Sequence, residues 1–344
     1  MIQKPKTIRE IARLAGVSRM TVSRVFSGRG PVSDELRKKV ILISREHEYT
    51  PNPLARGLAG QRTQNLGLIW WHMHDMLASE LMIKIVNHLQ GFGFVVNVAD
   101  CSCWAEKARY TRILEDFDRR RFEGVVAQLD LENPGESSIL DRLRRFPAAV
   151  IATAYGIDAP CDQVILERRT GFIEAAEYFV ASGRKTPVVM GRHEINQPKF
   201  DAFCRTLQNH NVPVKDATII ELDYPPLYTD EELRTCVWRN LTRRFPQKIP
   251  FDALMCTSDQ EAWCAIAWFH SRGLRVPQEV AVVGFGDYMY NSILTPPLAS
   301  VDRRLEQTAC AIDTLLMNRL KQPDLPPQKH VVNMKFIWRE SAGS

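Results

Sequence analysis

The stretch SRMTVSRVFSG, residues 18–28, combines cationic and hydroxyl side chains in a pattern that could contact a polyanion. If it is helical, Val22, Val25 and Phe26 share one inward face. The opposite face then exposes five side chains: Arg19, Met20, Thr21, Ser23 and Arg24. Arginine binds guanine through two hydrogen bonds, methionine makes apolar contact with a thymine methyl group, and hydroxyl groups donate to phosphate. We therefore predict that this helix lies against duplex DNA and reads its base edges.

Two further helices are predicted to position this one. Thr7 and Glu10 fit a capping box at the start of the first helix, and Gly16 marks its end. Ser18 and Ser33 can cap the second and third helices. The inward stripes of the first and third helices consist of Ile8, Ile11, Ala12, Ala15, Leu36, Val40 and Ile43. Three short helices with a tight Gly-Val turn between the first two indicate a helix-turn-helix, in preference to an ordinary three-helix bundle.

Positive charge is concentrated at the start of the chain. Residues 1–62 contain 13 Lys and Arg and five Asp and Glu, a net charge of +8, whereas the whole chain is +5 and the remainder therefore −3. This asymmetry indicates a nucleic-acid-binding module joined to a neutral or acidic body. The length of 344 residues predicts two or three domains. Eight sparse cysteines, no apolar run long enough to cross a bilayer and no apolar signal core favour a cytoplasmic protein.

Four motifs at the start of the chain carry a resemblance to a known family. They are AGVS, TVSRV, the VS that opens the third helix, and YTPNPLARGL. In this order and spacing they resemble the DNA-binding head of the LacI (lactose-repressor) family of transcription regulators. The resemblance implies a helix-turn-helix head over residues 1–50 and a hinge helix with linker over residues 51–65. The DNA-binding residues that we predict are Thr7, Ser18, Arg19, Met20, Thr21, Ser23, Arg24, Ser33, Asn52, Ala55, Arg56 and Leu58.

The hinge stretch YTPNPLARGLAG predicts a helix that forms only under certain conditions. Asn52 is a good N-cap and Pro53 suits the first helical position, but about seven residues are too few for a stable isolated helix. By resemblance, operator DNA and the hinge of a second subunit order it. Leu58 would then wedge into a central base step from the minor groove beside Ala55, and Arg56 would attract the backbone. A simple linker that happens to contain leucine is the alternative.

The body of the chain alternates short apolar runs with amphipathic stretches. Two successive series of Val- and Ile-rich runs, such as GVVAQL and VAVVGF, predict two lobes, each with a parallel sheet covered by helices on both faces. The stretch from FDALMCTSDQ to TPPLASV resembles the effector-binding domain of the same family, which is similar to periplasmic sugar-binding proteins. We predict an effector-binding and dimerisation domain over residues 66–340. Its N-lobe is predicted over 66–162 and 300–325, and its C-lobe over 163–299 and 326–340.

Ligands of open α/β sheets bind beyond the carboxyl ends of the strands, and this rule nominates an effector cleft. A sugar needs an aromatic face and carboxylates or amides for its hydroxyl groups. The effector-binding residues that we predict are Trp71, Asp75, Tyr155, Glu167, Lys199, Tyr224, Ser258, Asp259 and Asp287. Trp70 could instead be a core residue, and Asp287 could merely cap a turn. Where the family has a ligand-binding arginine this chain has Lys199, so a sugar acid or a phosphorylated sugar stays open.

Two other pairs of residues could hold a metal ion. His72 and His74, with Cys101 and Cys103, are predicted at strand ends that face the same cleft. A tetrahedral thiolate and imidazole site is conceivable, but no partner that would orient these ligands is identifiable. We therefore expect packing or effector contacts from these residues, and neither a metal nor a cofactor.

The sequence favours a ligand-responsive regulator over two other classes of protein. No nucleophile elbow, zinc-protease helix or phosphate loop is present, so we expect no enzyme. A sugar receptor without gene regulation would not need the basic head. We predict a homodimer that binds a near-palindromic operator, with a small effector, a sugar or sugar acid, changing the relation of the lobes and thereby DNA affinity. Repression is expected because hinge-anchored binding blocks transcription, and an activator of the same family is the alternative.

Overall fold

The computed structural model describes residues 7–27, 30–49, 63–70, 75–101, 107–129, 137–225 and 228–343. Its first part is a head of three helices, Ile8–Ala15 (α1), Arg19–Ser27 (α2) and Asp34–Glu46 (α3). The predicted caps are present. Thr7 and Glu10 form the capping box of α1, and Gly16 ends α1 with a φ of 70°. The core of the head consists of Ile11, Ala12, Ala15, Val22, Val25 and Val40.

Twelve strands and eight further helices follow the head in the described part of the chain. The strands are Asn65–Trp70 (β1), Val95–Asp100 (β2), Gly124–Gln128 (β3), Ala148–Thr153 (β4), Asp162–Glu167 (β5), Pro187–Gly191 (β6), Ile219–Glu221 (β7), Ala253–Cys256 (β8), Ala281–Gly286 (β9), Ala299–Asp302 (β10), Lys329–Asn333 (β11) and Lys335–Ile337 (β12). The helices are Met76–Gly91 (α4), Lys107–Arg119 (α5), Ser137–Leu143 (α6), Arg169–Ala181 (α7), His193–Asn209 (α8), Asp230–Arg244 (α9), Asp259–Ser271 (α10) and Leu305–Lys321 (α11).

The first lobe is built on a six-stranded sheet with the order β2-β1-β3-β4-β5-β11, in which every pair is parallel. Strand residues alternate between two apolar layers, because successive side chains point to opposite faces. Leu68 and Val126 pack in the layer that contains α4 and α11, whereas Ile69 and Val125 pack in the layer that contains α5 and α6. Burial on both faces explains why these strands read as nearly continuous apolar runs.

The second lobe has a six-stranded sheet with the order β12-β10-β9-β8-β6-β7, which is parallel except for the β10–β12 pair. Helices α7 and α8 cover one face through Phe172, Phe179 and Phe203, and α9 and α10 cover the other. These two sheets and the helical head confirm the predicted fold class, an all-α head followed by a two-lobed periplasmic-binding-protein-like domain. No helix in the described ranges is long and apolar enough to cross a membrane.

The sheet order corrects the predicted lobe boundaries. The sequence analysis assigns residues 163–299 and 326–340 to the second lobe, yet β5 pairs with β4, and β11 pairs with β5, in the first sheet. Conversely, β10 lies in the second sheet beside β9, whereas the sequence analysis assigns residues 300–325 to the first lobe. The prediction failed because an apolar run indicates a strand but does not identify its neighbour. A buried ion pair helps to hold β5 in the first lobe, since Asp162 accepts from Arg319 of α11 at 2.7 and 3.0 Å.

The chain crosses between the lobes at three places, after β5, after β10 and after β11. Arg168 directly follows β5 and Arg303 directly follows β10, so each residue begins a segment that crosses between the lobes. The lobes also approach closely where β9 ends. A Cβ atom on Gly286 would lie 2.8 Å from Leu77 of α4, and Gly286 has a φ of +144°. Only glycine suits this position, because both the backbone conformation and the contact exclude a side chain.

Candidate functional site

Helix α2 carries the predicted DNA-reading face on its outer side. Val22 and Val25 are buried, whereas Arg19 and Arg24 are exposed and the Met20 side chain is 63% exposed. An exposed methionine of this size has no packing role within the head, so it is available to an apolar group of a partner. Arg24 lies beside Gly30, where an added Cβ atom would come within 3.3 Å of the arginine side chain. Of the five side chains predicted to be exposed, Arg19, Met20 and Arg24 are exposed, and Thr21 and Ser23 are half-buried.

The short hydroxyl side chains of the head serve as helix caps. Ser18 accepts from the Thr21 amide at 3.0 Å, and Ser33 accepts from the Leu36 amide at 3.4 Å. Thr7 and Glu10 cap α1 reciprocally, with distances of 2.7 Å from the Thr7 amide and 3.4 Å from the Glu10 amide. Each cap contributes about 1 kcal/mol to helix stability. All of these hydroxyl groups are at least partly accessible, so phosphate binding by Thr7, Ser18, Thr21, Ser23 and Ser33 stays a prediction.

Five predicted contact residues lie outside the described residues. They are the hinge residues Asn52, Ala55, Arg56 and Leu58, and Trp71 of the cleft. The neighbouring Trp70 is described and is a core residue, because it is 1% exposed and its Nε1 donates to the Ala78 carbonyl at 3.0 Å. The packing alternative that the sequence offered for Trp70 is thus the observed one.

On the first lobe, the structure places Asp75 and Glu167 beside arginines. Asp75 caps α4 by accepting from the Ala78 amide at 2.9 Å, and its Oδ1 lies 3.7 Å from Nη1 of Arg303. Glu167, at the end of β5, accepts from Nε of Arg169 at 2.7 Å. This hydrogen bond, opposed by partial burial, lowers the pKa of Glu167. The same hydrogen bond raises the pKa of Arg169, and the neighbouring Tyr155 is half-buried.

On the second lobe, Tyr224 and Ser258 meet at a buried glutamate. Glu261 is completely buried and accepts from the Tyr224 hydroxyl at 2.8 Å, from Thr257 Oγ1 at 2.8 Å and from the Ser258 amide at 3.0 Å. Burial raises the pKa of Glu261, and burial together with this neighbouring carboxylate raises the pKa of Tyr224. Arg192 stacks over the Tyr224 ring at 5.4 Å. Tyr224 is therefore fixed in one orientation by its hydroxyl group.

Asp259 and Asp287 act as internal braces in this structure. Asp259 is fully buried and accepts from Ser300 Oγ at 2.5 Å, the Tyr288 amide at 2.9 Å and Asn291 Nδ2 at 2.8 Å. Burial raises its pKa to about 6 despite these three donors. Asp287 has a φ of 57° and its carboxylate accepts from Arg339 Nη1 at 2.6 Å. Both carboxylates are engaged by their own chain, and a direct effector contact from either stays a prediction.

Lys199 is buried in a polar and aromatic niche. Its side chain is 6% exposed, and its Nζ donates to Asn196 Oδ1 at 2.6 Å. The ammonium group also lies 4.9 Å from the ring centroid of Phe285, a favourable arrangement for a cation over an aromatic face. An amide oxygen and an aromatic face therefore hold the Lys199 ammonium group inside the second lobe.

Sequence reasoning missed the three residues that organise these groups. They are Arg303, Glu261 and Asn196, which orient Asp75, Tyr224 and Lys199 respectively. For Glu261 a signal existed, because Ser258 and Glu261 have the spacing of a capping box, which the structure contains. For Asn196 the signal was its i,i+3 spacing from Lys199 on α8, which places both side chains on one helix face. For Arg303 the partner Asp75 is distant in the sequence, and no local pattern indicates it.

The described residues contain one group of donor atoms close enough to hold a metal ion. His88, Glu306 and Cys310 on α4 and α11 place these atoms within 4.8 Å of one another. Protein partners already account for the cluster, since His88 Nδ1 lies 2.5 Å from Asp313 and Lys84 donates to Glu306 at 3.1 Å. Of the pairs considered from the sequence, Cys101 is buried, and His72, His74 and Cys103 lie outside the described ranges.

Both the head and the two-lobed body resemble known proteins. The family described as bacterial regulatory proteins, lacI family, matches residues 7–52, and the periplasmic binding protein-like domain matches residues 176–342. The probable HTH-type transcriptional repressor ExuR of Bacillus subtilis is 25% identical, with 97% of this chain and 98% of that protein covered. A lac repressor dimer bound to operator and the anti-inducer ONPF has a TM-score of 0.84 at 20% identity, covering 99% of this chain and 100% of that one. A complex of the transcriptional regulator CelR with cellobiose has a TM-score of 0.67 at 22% identity, covering 98% and 99%.

The two parts follow each other in the order that a ligand-controlled DNA-binding protein requires. The basic head exposes the outer face of α2, and a two-lobed body with a net negative charge follows it. The matches extend over nearly the whole length of both this chain and its relatives. The chain therefore has a lacI-family DNA-binding head over residues 7–52 and a periplasmic binding protein-like domain over residues 176–342, and it is a LacI-type DNA-binding transcription regulator.

Proposed function

We propose that this protein is a repressor that binds a near-palindromic operator as a homodimer and releases or tightens its grip when a small effector occupies the cleft. The outward face of α2 carries this proposal, because Arg19, Met20 and Arg24 are exposed on a helix whose other side is fully packed. A recognition helix enters the major groove and contacts base edges with residues near its start. The name of the Bacillus relative, a probable repressor, supports repression over activation.

A dimer is required because one head contacts only a half-site, which provides too little affinity. Exposed apolar side chains support a surface for the second copy. Phe92 and Val95 are each 57% exposed beside the edge strand β2, and Met289 and Ile293 are 76% and 75% exposed after β9. The lac repressor, which is similar in fold, forms an operator-bound dimer. We propose that the two bodies pair through these surfaces, so that the two heads face one palindrome.

The hinge completes the DNA contact in this proposal. Asn52 would begin the hinge helix, Leu58 would enter a central base step beside Ala55, and Arg56 would contact phosphate. A helix of this length needs an external partner to form. Its formation therefore links DNA binding to the distance between the two points where the hinges leave the bodies.

We propose that the effector is a sugar or sugar acid that lies between the lobes, as supported by the cellobiose complex of a protein of similar fold. Its proposed contacts are Trp71, Asp75, Tyr155, Glu167, Lys199, Tyr224, Ser258, Asp259 and Asp287. Apart from Lys199, which lies within α8, the described members lie close to strand ends or helix starts on both lobes. An effector that contacts both lobes favours one relative orientation of them, and coupling of about 1–3 kcal/mol changes operator affinity by about 5–150-fold. The proposed location is the cytoplasm, at the nucleoid when operator is bound.

Selection of operators from random duplex DNA by the full chain tests this function. We expect enrichment of a near-palindrome whose half-sites are related by the dimer axis. The matched control is the same selection with Arg19→Ala and Arg24→Ala combined, which should recover no sequence because the base contacts are gone. Recovery of no sequence by the unaltered chain, together with sugar binding, would contradict gene regulation and favour a receptor. If transcription rises when the operator is occupied, repression is contradicted, but the regulatory function is not.

A further inference from the structure

Arg303 is a buried cation that its own chain pairs only loosely. Its side chain is 16% exposed, and the nearest carboxylate oxygen that the structure describes belongs to Asp75 at 3.7 Å. That distance is too long for a hydrogen bond, although a guanidinium group has five N–H donors in a fixed fork. Burial lowers the pKa of Arg303, which means that the position disfavours its charge. A buried charge without hydrogen-bonded partners among the described residues is costly, so such a residue is suited to receive an anion.

A second arginine adds to this charge. The pKa of Arg303 is lowered by burial and further by the positive charge of Arg168, so the two guanidinium groups repel each other. Within the described ranges, no carboxylate lies within ion-pair distance of Arg168, whereas its neighbour Arg169 is fully engaged by Glu167. Arg168 follows β5 and Arg303 follows β10, so each belongs to a segment that crosses between the lobes.

The acidic residues nearby are not hydrogen-bonded to this pair. Asp259 accepts from three donors of its own lobe, so its carboxylate oxygens are already occupied. Glu261 is enclosed by Tyr224, Thr257 and Ser258. Asp75 remains as the one loosely placed carboxylate against two arginines. The described carboxylates near the two arginines are therefore either occupied by other donors or, for Asp75, beyond hydrogen-bond distance of Arg303.

We propose that Arg168 and Arg303 bind an oxyanion of the effector, so that the effector is an anionic small molecule and not a neutral sugar. This inference rests on the proposed function of the cleft. A carboxylate or phosphate accepts two parallel hydrogen bonds from a guanidinium fork, which suits arginine better than lysine. Because the two arginines lie on different crossing segments, an anion held by both would link the movement of those segments. The same oxyanion chemistry can come from a sugar acid or from a phosphorylated sugar.

Calorimetric titration of the full chain with matched probes tests the proposal. The probes are glucose, glucuronate, glucose 6-phosphate and inorganic phosphate, each at constant ionic strength. We expect at least one anionic probe to bind about tenfold more tightly than glucose, because one charge-assisted bidentate pair contributes that much discrimination. The arm that binds best shows whether carboxylate or phosphate is preferred. Binding of glucose as tight as that of every anion, or binding of no anion at all, would overturn the proposal.

Variants locate the anion. Arg303→Gln and Arg168→Gln should each weaken binding of the anionic probe about tenfold. Arg303→Lys should weaken its binding less, because the charge remains although the guanidinium fork is lost. The matched control is Arg304→Gln, which removes the same charge from the adjacent residue, 30% exposed beside Asp302, and should leave binding unchanged. Equal weakening by the control would show a general electrostatic effect and contradict the assignment.

Melting temperature and operator affinity, measured on the same variants, show whether the fold and the head are intact. If operator binding is retained but no anion binds, this inference fails and the regulatory function stands. If an anion binds at the arginines but no duplex is preferred, the regulatory function fails and the anion site stands.

Discussion

The head and the cleft treat charge in opposite ways. The head displays Arg19 and Arg24 to solvent and buries no charged side chain among its described residues, whereas the body buries Asp259 and Glu261 completely. Exposed charges attract a polyanion from a distance, and salt screens them. Buried charges hold fixed geometries and discriminate among small ligands, because each unpaired group is costly. The comparison indicates that operator affinity depends on the number of charges, and effector affinity on their exact partners.

Removal of Arg24 should impair the head and leave the effector cleft unaffected. Arg24→Ala should weaken specific operator binding by about 2–6 kcal/mol, since each of two symmetric heads loses a base contact of about 1–3 kcal/mol. Effector affinity should not change, as measured by titration of the same preparation. Arg45→Ala, an exposed arginine at the end of α3, is the control and should weaken binding much less. Equal loss of operator and effector binding would contradict the separation of the two regions.

Titration of Asp259 tests the body, where charged side chains are buried. Because the pKa of this carboxyl is raised to about 6 in the folded protein, the unfolded chain ionises it first as the pH rises. Its contribution to stability is therefore complete below about pH 4 and is lost as the pH rises to about 6. Relative to Asp259→Asn, the free energy of unfolding should fall by about 3 kcal/mol across this window, as followed by denaturant titration at each pH. A constant difference between the two proteins would contradict the raised pKa.

Loss of one buried hydrogen bond should produce an intermediate effect. Tyr224→Phe removes a donor from Glu261 and should destabilise the second lobe by about 1–3 kcal/mol, because a buried carboxylate loses one of its partners. Tyr228→Phe is the matched control, since the Tyr228 hydroxyl donates to the neutral Gln260 side chain at 2.9 Å. Thermal unfolding of both variants gives the difference. A larger loss for the control would show that the carboxylate is not the centre of this cluster.

A change in the hinge should have the smallest effect on operator affinity. It should also separate non-specific attraction to phosphate from recognition of the base sequence. Leu58→Ala should weaken binding to the selected operator by about 1 kcal/mol and leave non-specific binding unchanged, because a wedge acts at one base step while phosphate contacts act everywhere. Competition against random duplex at one fixed salt concentration measures both affinities. A parallel decrease in both would indicate a linker with no role in base-step recognition.

The head was more predictable from the sequence than the cleft, for a physical reason. Helix caps such as Thr7, Ser18 and Ser33 bind amides three residues away, so the sequence contains the whole interaction. The cleft depends on pairs such as Asp75 with Arg303, which are separated by most of the body. The apolar runs predicted the strands and their buried faces, but they did not show that β5 and β11 are neighbours.

Coupling between the two regions is the central claim, and one titration measures it most directly. The affinity of the full chain for its selected operator is determined with and without a saturating effector, and the affinity for the effector with and without operator. The account predicts that both affinities change by the same factor, about 5–150-fold, because linkage is reciprocal. An effector that binds the cleft while operator affinity stays constant would contradict it.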